Sequence, residues 1–234
     1  MPLAVYIKAP PQRSKQPQRL FYGFVLTLGL ASIIFSVLPL ASWYFTTLPK
    51  FEAKIEKFPV PQSQILSKGQ VLGTEVQVAK DPDGFSYFTT NYKPQGPRPK
   101  EFSVTIPKLK VTNAKVKVDS LDFKTSLAHF PGSGLPGEIG NSFVTGHSVL
   151  PLFNDPKNYR AIFTKLSDLS VGDDVFVKMD GQTFHYVVQY AKVVSPHDLS
   201  VLLPISQNGR NLTLMTCVPP GTSIKRLVVI TSLI

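Results

Sequence analysis

Apolar residues fall into one unbroken block near the N-terminus and, past the middle of the chain, into short runs that alternate with polar ones. The block, LFYGFVLTLGLASIIFSVLPLASWYF from Leu20 to Phe45, holds no charged side chain. About 20 apolar residues suffice for a helix to cross a bilayer, so the block predicts a transmembrane helix. Phe21 and Tyr22 at one end and Trp43, Tyr44 and Phe45 at the other stand where interfacial aromatics belong. Lys8, Arg13, Lys15 and Arg19 precede it with no acid among them, which places residues 1–19 as a basic cytoplasmic tail and the rest of the chain outside the cytoplasm. A cleavable signal peptide has a shorter apolar core and a small-residue cleavage site, whereas PLASWYF runs into bulky aromatics; an uncleaved, single-pass anchor is the expected reading. Pro39 is expected to kink or end the last turn.

Residues 46–100 change pattern repeatedly. LPKFEAKIEKFPVPQSQ starts with helix-like charge spacing and ends in a proline break. GQVLGTEVQVA alternates as a strand does, DPDG is a turn, and FSYFTTNY is a second apolar run. Both strands are candidates for pairing with the domain that follows. KPQGPRPK, from Lys93 to Lys100, reads as a stiff extended connector, so the segment is expected to be an extracytoplasmic stalk with some local strand.

From Glu101 to the end the pattern is that of short strands: FSVTIP, AKVKVD, NSFVTG, DVFVKMD, TFHYVVQYAKVV, NLTLMTC and KRLVVITSL, rich in β-branched and aromatic residues. MDGQ joins two of them as an Asp-Gly hairpin. Only NYRAIFTKLSDL and PHDLSVLL look helical, and both are short. The expected fold of residues 101–234 is therefore an all-β barrel or sandwich with short helices.

Composition narrows the chemistry. With 43% hydrophobic and 17% charged residues, the chain buries a full core. Its net charge of +10 is partly concentrated in the basic tail, which argues against a nucleic-acid binder. A single Cys excludes an intrachain disulfide and leaves no partner thiol for a metal site or a redox pair. Asp81 and Asp83 read as turn formers rather than calcium ligands, so no metal and no cofactor are expected.

Cys217 ends a strand whose Leu212, Leu214 and Val218 share one side of the alternation, just before a Pro-Pro-Gly turn. Arg226 opens the next strand, and antiparallel pairing of the two would set cysteine and arginine side by side. A cysteine nucleophile needs an acid or base within hydrogen-bond reach and a donor for the developing oxyanion. Of the four histidines, His147 follows a Gly at the end of NSFVTG and is the best candidate. His129 lies in a Pro/Gly loop, His185 within a strand, and His197 near a helix start.

These residues resemble a family. NSFVTGHS, then about seventy residues later LTLMTC, then IKRLVV, is similar to the His, TLxTC and Arg signature of sortases, membrane-anchored cysteine transpeptidases. FPGSGLPGEIGNSFVTGH and IFTKLSDLSVGDDVFV resemble the segments that lead into and out of the sortase histidine, so the likeness spans residues 101–234. It implies a closed eight-stranded β-barrel, with Cys217 as nucleophile, His147 as general acid/base and Arg226 as oxyanion donor. It also implies cleavage of an LPxTG-like sorting signal after its Thr and transfer of the acyl group from a Cys thioester to an amine. The partners would be secreted proteins bearing that signal and an amine on the cell envelope or on another protein. Ser148 follows the histidine where many sortases carry Arg, and the Ser195–Arg210 stretch differs from the best-known class. The rival expectation is a membrane-tethered β-barrel that binds an envelope ligand without turnover. A cysteine protease would differ only in using water as acceptor.

Overall fold

The computed structural model of the chain describes residues 16–52, 70–71, 74–80, 86–93, 96–206 and 208–234. Most of the basic tail, the Asp81–Gly84 turn and the charged stretch after Glu52 lie outside the described residues. The chain divides into one compact unit up to Ala41 and another from Ser42 onward. Helix α1 (Gln16–Thr46) has 31 residues, roughly 46 Å at 1.5 Å per residue, enough for a hydrocarbon core of about 30 Å. Its apolar side chains from Leu20 to Leu40 are exposed, as those of a lipid-facing helix must be. Of the two expectations for Pro39, a kink or an end, the second does not hold: the helix continues through it to Thr46. Trp43 and, from the short helix α2 (Leu48–Glu52), Leu48 and Phe51 are buried in the hydrophobic cluster of the second unit.

Strands β1 (Gln70–Val71), β2 (Thr74–Lys80) and β3 (Ser86–Thr90) form a three-stranded sheet of their own. Among the described residues they pair with one another and not with the strands that follow. The remaining strands are β4 (Glu101–Ile106), β5 (Val111–Lys117), β6 (Leu127–His129), β7 (Gly140–Thr145), β8 (Asp174–Met179), β9 (Gln182–Val194), β10 (Arg210–Val218) and β11 (Lys225–Leu233). These eight close into a barrel in the order β10-β11-β9-β8-β4-β5-β6-β7. Two pairings are parallel, β5 with β6 and β7 with β10. Closure leaves no open edge.

The period-2 pattern fills the interior. Phe102, Val104 and Ile106 of β4, Val175 and Val177 of β8, and Leu212 and Leu214 of β10 point inward into one cluster. Asp180 and Gly181 both take positive φ, 48° and 78°, as a two-residue hairpin turn requires. The two segments read as helical are shorter than expected. Residues 158–165 are successive turns leading into a 3-10 turn at Leu166–Asp168, and PHDLSVLL reduces to a 3-10 turn at Leu199–Leu202, capped by Asp198. Strand β6 is invisible to pattern reading, because all three of its residues are buried and nothing alternates.

His129 fixes the loop that leads out of β5. The backbone N–H of Asp119 donates to Nδ1 at 3.4 Å, so Nε2 carries the proton and donates to the carbonyl of Gly134 at 2.9 Å. Ser133 Oγ lies 2.9 Å from the same Nε2 and gives its own proton to the carbonyl of Phe130 at 2.7 Å. The row Ser133, His129, Asp119 mimics a hydrolase triad in composition, but the tautomer is wrong for it and both Ser133 and His129 are buried. It is a pin between residues 119 and 134. Burial pushes the His129 imidazole down to about 4, with Arg98 adding to the effect against the opposing pull of the Gly134 carbonyl.

Unfolded, that histidine titrates near pH 6.5, so below that value the unfolded chain takes up a proton the folded one refuses. Stability from this group is complete above pH 6.5, falls as the pH drops, and levels off near pH 4. A loss of about 2 kcal/mol between pH 6.5 and 5 is expected, at 1.36 kcal/mol per pH unit. Thermal unfolding of the wild type and His129→Gln at several pH values tests this: the variant should show a flatter dependence, and identical slopes would assign the acid sensitivity elsewhere.

Candidate active site

Strand β10 has β11 on one side and β7 on the other, and it carries Cys217 near its C-terminal end. In the antiparallel ladder Cys217 is the direct partner of Arg226, so their side chains leave the sheet on the same face. Alternation decides which face. Leu212, Leu214 and Val218 belong to the interior cluster, which turns Met215 and Cys217 outward; Leu227 and Val229 do the same for Arg226 and Val228. Cys217 as a residue is partly buried.

His147 reaches the same place by the parallel pairing. The β7–β10 register runs from Gly140 opposite Arg210 to Thr145 opposite Met215, and hydrogen bonds carry it past the end of the ladder. Gly146 N donates to Met215 O at 3.1 Å, Thr216 Oγ1 donates to Gly146 O at 2.9 Å, and Ser148 Oγ donates to Cys217 O at 2.6 Å. His147 is thus bracketed by residues bonded to the two positions ending in the cysteine. Behind it, Phe163 N donates to His147 O at 3.0 Å, and Val149 N donates to Thr164 Oγ1 at 3.0 Å. Position 146 must be glycine for this path: a Cβ there would stand 2.6 Å from both Leu127 Cδ2 and Phe163 Cδ2.

Arg226 is 2% exposed. Its Nη1 donates to the carbonyls of Ser223 at 3.0 Å and Lys225 at 2.9 Å, so the β10–β11 connection itself orients the guanidinium. Burial lowers its pKa and the neighbouring Cys217 opposes that shift. An arginine starts so high that it stays charged at neutral pH. A buried cation beside a partly buried cysteine is an arrangement that can hold the negative charge developing on an acyl oxygen under attack.

The other histidines lie elsewhere in function. His129 is the buried pin described above. His185 stacks on Phe176 at 4.6 Å and meets Asp174 at 2.7 Å on β8 and β9. His197 stands in the turn after β9. Among the described residues no group of three or more His, Cys, Asp or Glu is placed to hold a metal ion.

Two contributors escape motif reading. Ser148, at the position where many sortases carry Arg, ties the histidine segment to the cysteine's carbonyl. Phe123, from the loop pinned by His129, lays its ring 4.4 Å from the His147 ring. Leu121 and Phe123 flank a charged Asp122, and nothing local says what the ring covers. The connector between β9 and β10 packs Val201 and Leu202 into one cluster with Phe143, Met215 and Val228 and is held by amides. Asn141 Nδ2 donates to the carbonyls of Val201 and Leu202 at 3.1 and 3.2 Å, and Asn211 Oδ1 accepts from Ile205 N at 3.2 Å.

Comparison with known proteins agrees with this architecture. A sortase-domain family model matches residues 104–234. Among solved structures, a lid mutant of sortase A from Corynebacterium diphtheriae is similar at 29% identity and a TM-score of 0.50, over 60% of this chain and 73% of that one. Sortase C1 from Streptococcus agalactiae is similar at 27% identity and a TM-score of 0.50, over 58% of this chain and 68% of that one. A search of curated protein sequences finds no significant match. The matched region begins inside β4, takes in the rest of the closed barrel and covers more than half of the sequence: the chain belongs to the sortase family.

Proposed function

We propose that the protein is a membrane-anchored transpeptidase in which Cys217 is the nucleophile, His147 the general acid/base and Arg226 the oxyanion donor. The register that sets Cys217 opposite Arg226, with the His147 segment bonded to its other side, carries this reading. The substrate is a protein bearing an LPxTG-like sorting signal, cut after its Thr. His147 takes the thiol proton as the Cys217 sulfur attacks the Thr carbonyl carbon, and the oxygen's negative charge falls to the Arg226 N–H groups. Protonated His147 gives its proton to the departing amine as the C–N bond breaks, leaving a thioester on Cys217. An incoming amine then loses a proton to His147, attacks the thioester carbon and expels the sulfur as the new amide forms. The thioester retains the acyl-transfer potential of the cleaved bond, so no nucleotide is consumed. Helix α1 serves as the single-pass anchor, with the basic tail cytoplasmic and the barrel outside, where the signal-bearing proteins and an amine acceptor on the envelope or another protein are found.

Full-length protein in detergent, incubated with a library of LPxTG-like peptides and an amine, should form a Cys217-linked acyl adduct visible by mass spectrometry and absent in Cys217→Ala. If no peptide gives an adduct, the barrel binds without turnover and the reading falls. His147→Ala and Arg226→Ala should each lower kcat/KM by about 100-fold or more with the fold retained. Near-wild-type turnover in either would remove that residue from the mechanism. Gly146→Ala forces Leu127 or Phe163 to move and displaces His147, so its kcat should fall more steeply than its KM rises; an unchanged kcat would show that the segment tolerates the extra carbon.

A further inference from the structure

A lysine on the outer face of a sheet normally runs its stem over apolar neighbours and keeps the ammonium in water. Lys192 does not: it is 3% exposed, although it stands among the outward residues of β9. Ala191 and Val193 pack on the interior cluster, which turns Tyr190, Lys192 and Val194 to the outer face. In the β9–β11 ladder Val194 is the direct partner of Arg226 and Lys192 that of Val228. Lys192 therefore lies on the face that carries Cys217 and Arg226, one outward step along β9 from the arginine's partner. Val228 belongs to a buried cluster with Phe143, Met215 and Ile230, joined by Val76 and Phe88 of β2 and β3 and by Val201 and Leu202 of the β9–β10 connector. Tyr190 and Val194, on either side of Lys192, pack against that same cluster. The lysine is a second buried cation on the site face, and the mechanism above does not use it.

A buried ammonium loses solvation and needs an anion to answer it. Burial lowers the pKa of Lys192, and the negative charge of Asp198, at the start of the connector's turn, opposes that shift. Asp198 caps the turn Leu199–Leu202, accepting from Ser200 N at 3.0 Å and from Ser200 Oγ at 2.6 Å, both through Oδ1. Farther along, the connector is fastened to β7 and β10: Asn141 grips residues 201 and 202, and Asn211 grips residue 205. Those grips begin at Val201, and Asp198 stands ahead of them. An extended peptide that brings a carbonyl to Cys217 has to lie along the face where Val201 and Leu202 pack with Met215, the outward residue one step before the cysteine. On that basis, which rests on the function proposed above, we propose that Lys192 is a positioning residue for the sorting signal: its buried charge holds Asp198, and with it the first turn of the connector, against the site face. The peptide then meets a fixed surface and does not have to order one. In this role Lys192 acts through the connector, not on the reacting atoms, so its loss weakens the hold on the peptide and spares the bond-making step.

Lys192→Met keeps the apolar stem and removes the charge; Asp198→Asn keeps the cap acceptor and removes the charge. In full-length protein in detergent, hydrogen exchange across residues 195–206 should speed up by about tenfold or more in each variant, while β10 and β11 exchange as in the wild type. The double variant should exchange within about twofold of either single one, because the second change removes a pair already broken. With an LPxTG-like peptide and an amine, each variant should raise KM by about tenfold and change kcat by less than about twofold. Exchange at the wild-type rate in either variant, acceleration spread equally over β10 and β11, or fully additive effects in the double variant would each overturn the proposal. So would local loosening with an unchanged KM, which would leave the pair merely structural. If no peptide is turned over at all, the transfer reading fails by itself, and the exchange comparison alone decides whether Lys192 seats the connector.

Discussion

Strand β10 lies between a parallel neighbour and an antiparallel one, and that double constraint determines everything at the site. Antiparallel pairing with β11 makes Cys217 and Arg226 direct partners, while parallel pairing with β7 carries the His147 segment toward the same end of the strand. A slip of one residue in either ladder would turn a reacting group into the barrel interior and an aliphatic one out. The interior alternation of Leu212, Leu214, Leu227 and Val229 forbids the slip, because it would expose apolar side chains of about 1.5–3 kcal/mol each. Core packing thus enforces the geometry that the proposed chemistry needs.

The same argument explains why the site needs support from outside the strands. Once β7 ends at Thr145, one more backbone bond, Gly146 N to Met215 O, continues its pairing with β10, and side chains then add to it: Thr216 to Gly146, Ser148 to Cys217, Val149 to Thr164. Arg226 is buried beside a thiol at a cost in solvation, and the carbonyls of Ser223 and Lys225 offset part of it while fixing the guanidinium. On the far side of His147, Phe123 reaches it from a loop whose shape is held by the neutral, buried His129. The histidine that does no chemistry is as firmly placed as the one assigned to it.

Much of this was legible in the sequence because it is periodic or local. Strand alternation gave one side of β10, and antiparallel pairing with the strand that Arg226 opens suggested that Cys217 and Arg226 would lie side by side, as they do. The uncharged block of α1 and the Asp180-Gly181 turn have equally direct signatures. What was not legible is non-local. Strand β6 is too short and too buried to alternate. NYRAIFTKLSDL has helical spacing but breaks into turns, where Asn158 caps Arg160 and the chain must also return a hydrogen bond from Phe163 to His147. Val76 and Phe88 carry no mark of the partners they find on the barrel face, and Ser148 reads as a missing Arg until its bond to Cys217 O is seen.

Oxidative trapping measures the central geometry most directly. The chain has one thiol, so His147→Cys and Arg226→Cys each create a single possible pair with Cys217; position 226 is its direct ladder partner, within the Cα range of roughly 4.4–6.8 Å that a disulfide needs, and position 147 follows the strand paired on its other side. Mild oxidation of each purified variant, followed by peptide mass mapping, should give an intramolecular 217–147 or 217–226 crosslink in monomeric protein. Finding only disulfide-linked dimers, or unreacted thiols, in both variants would mean that the three groups do not converge on one face.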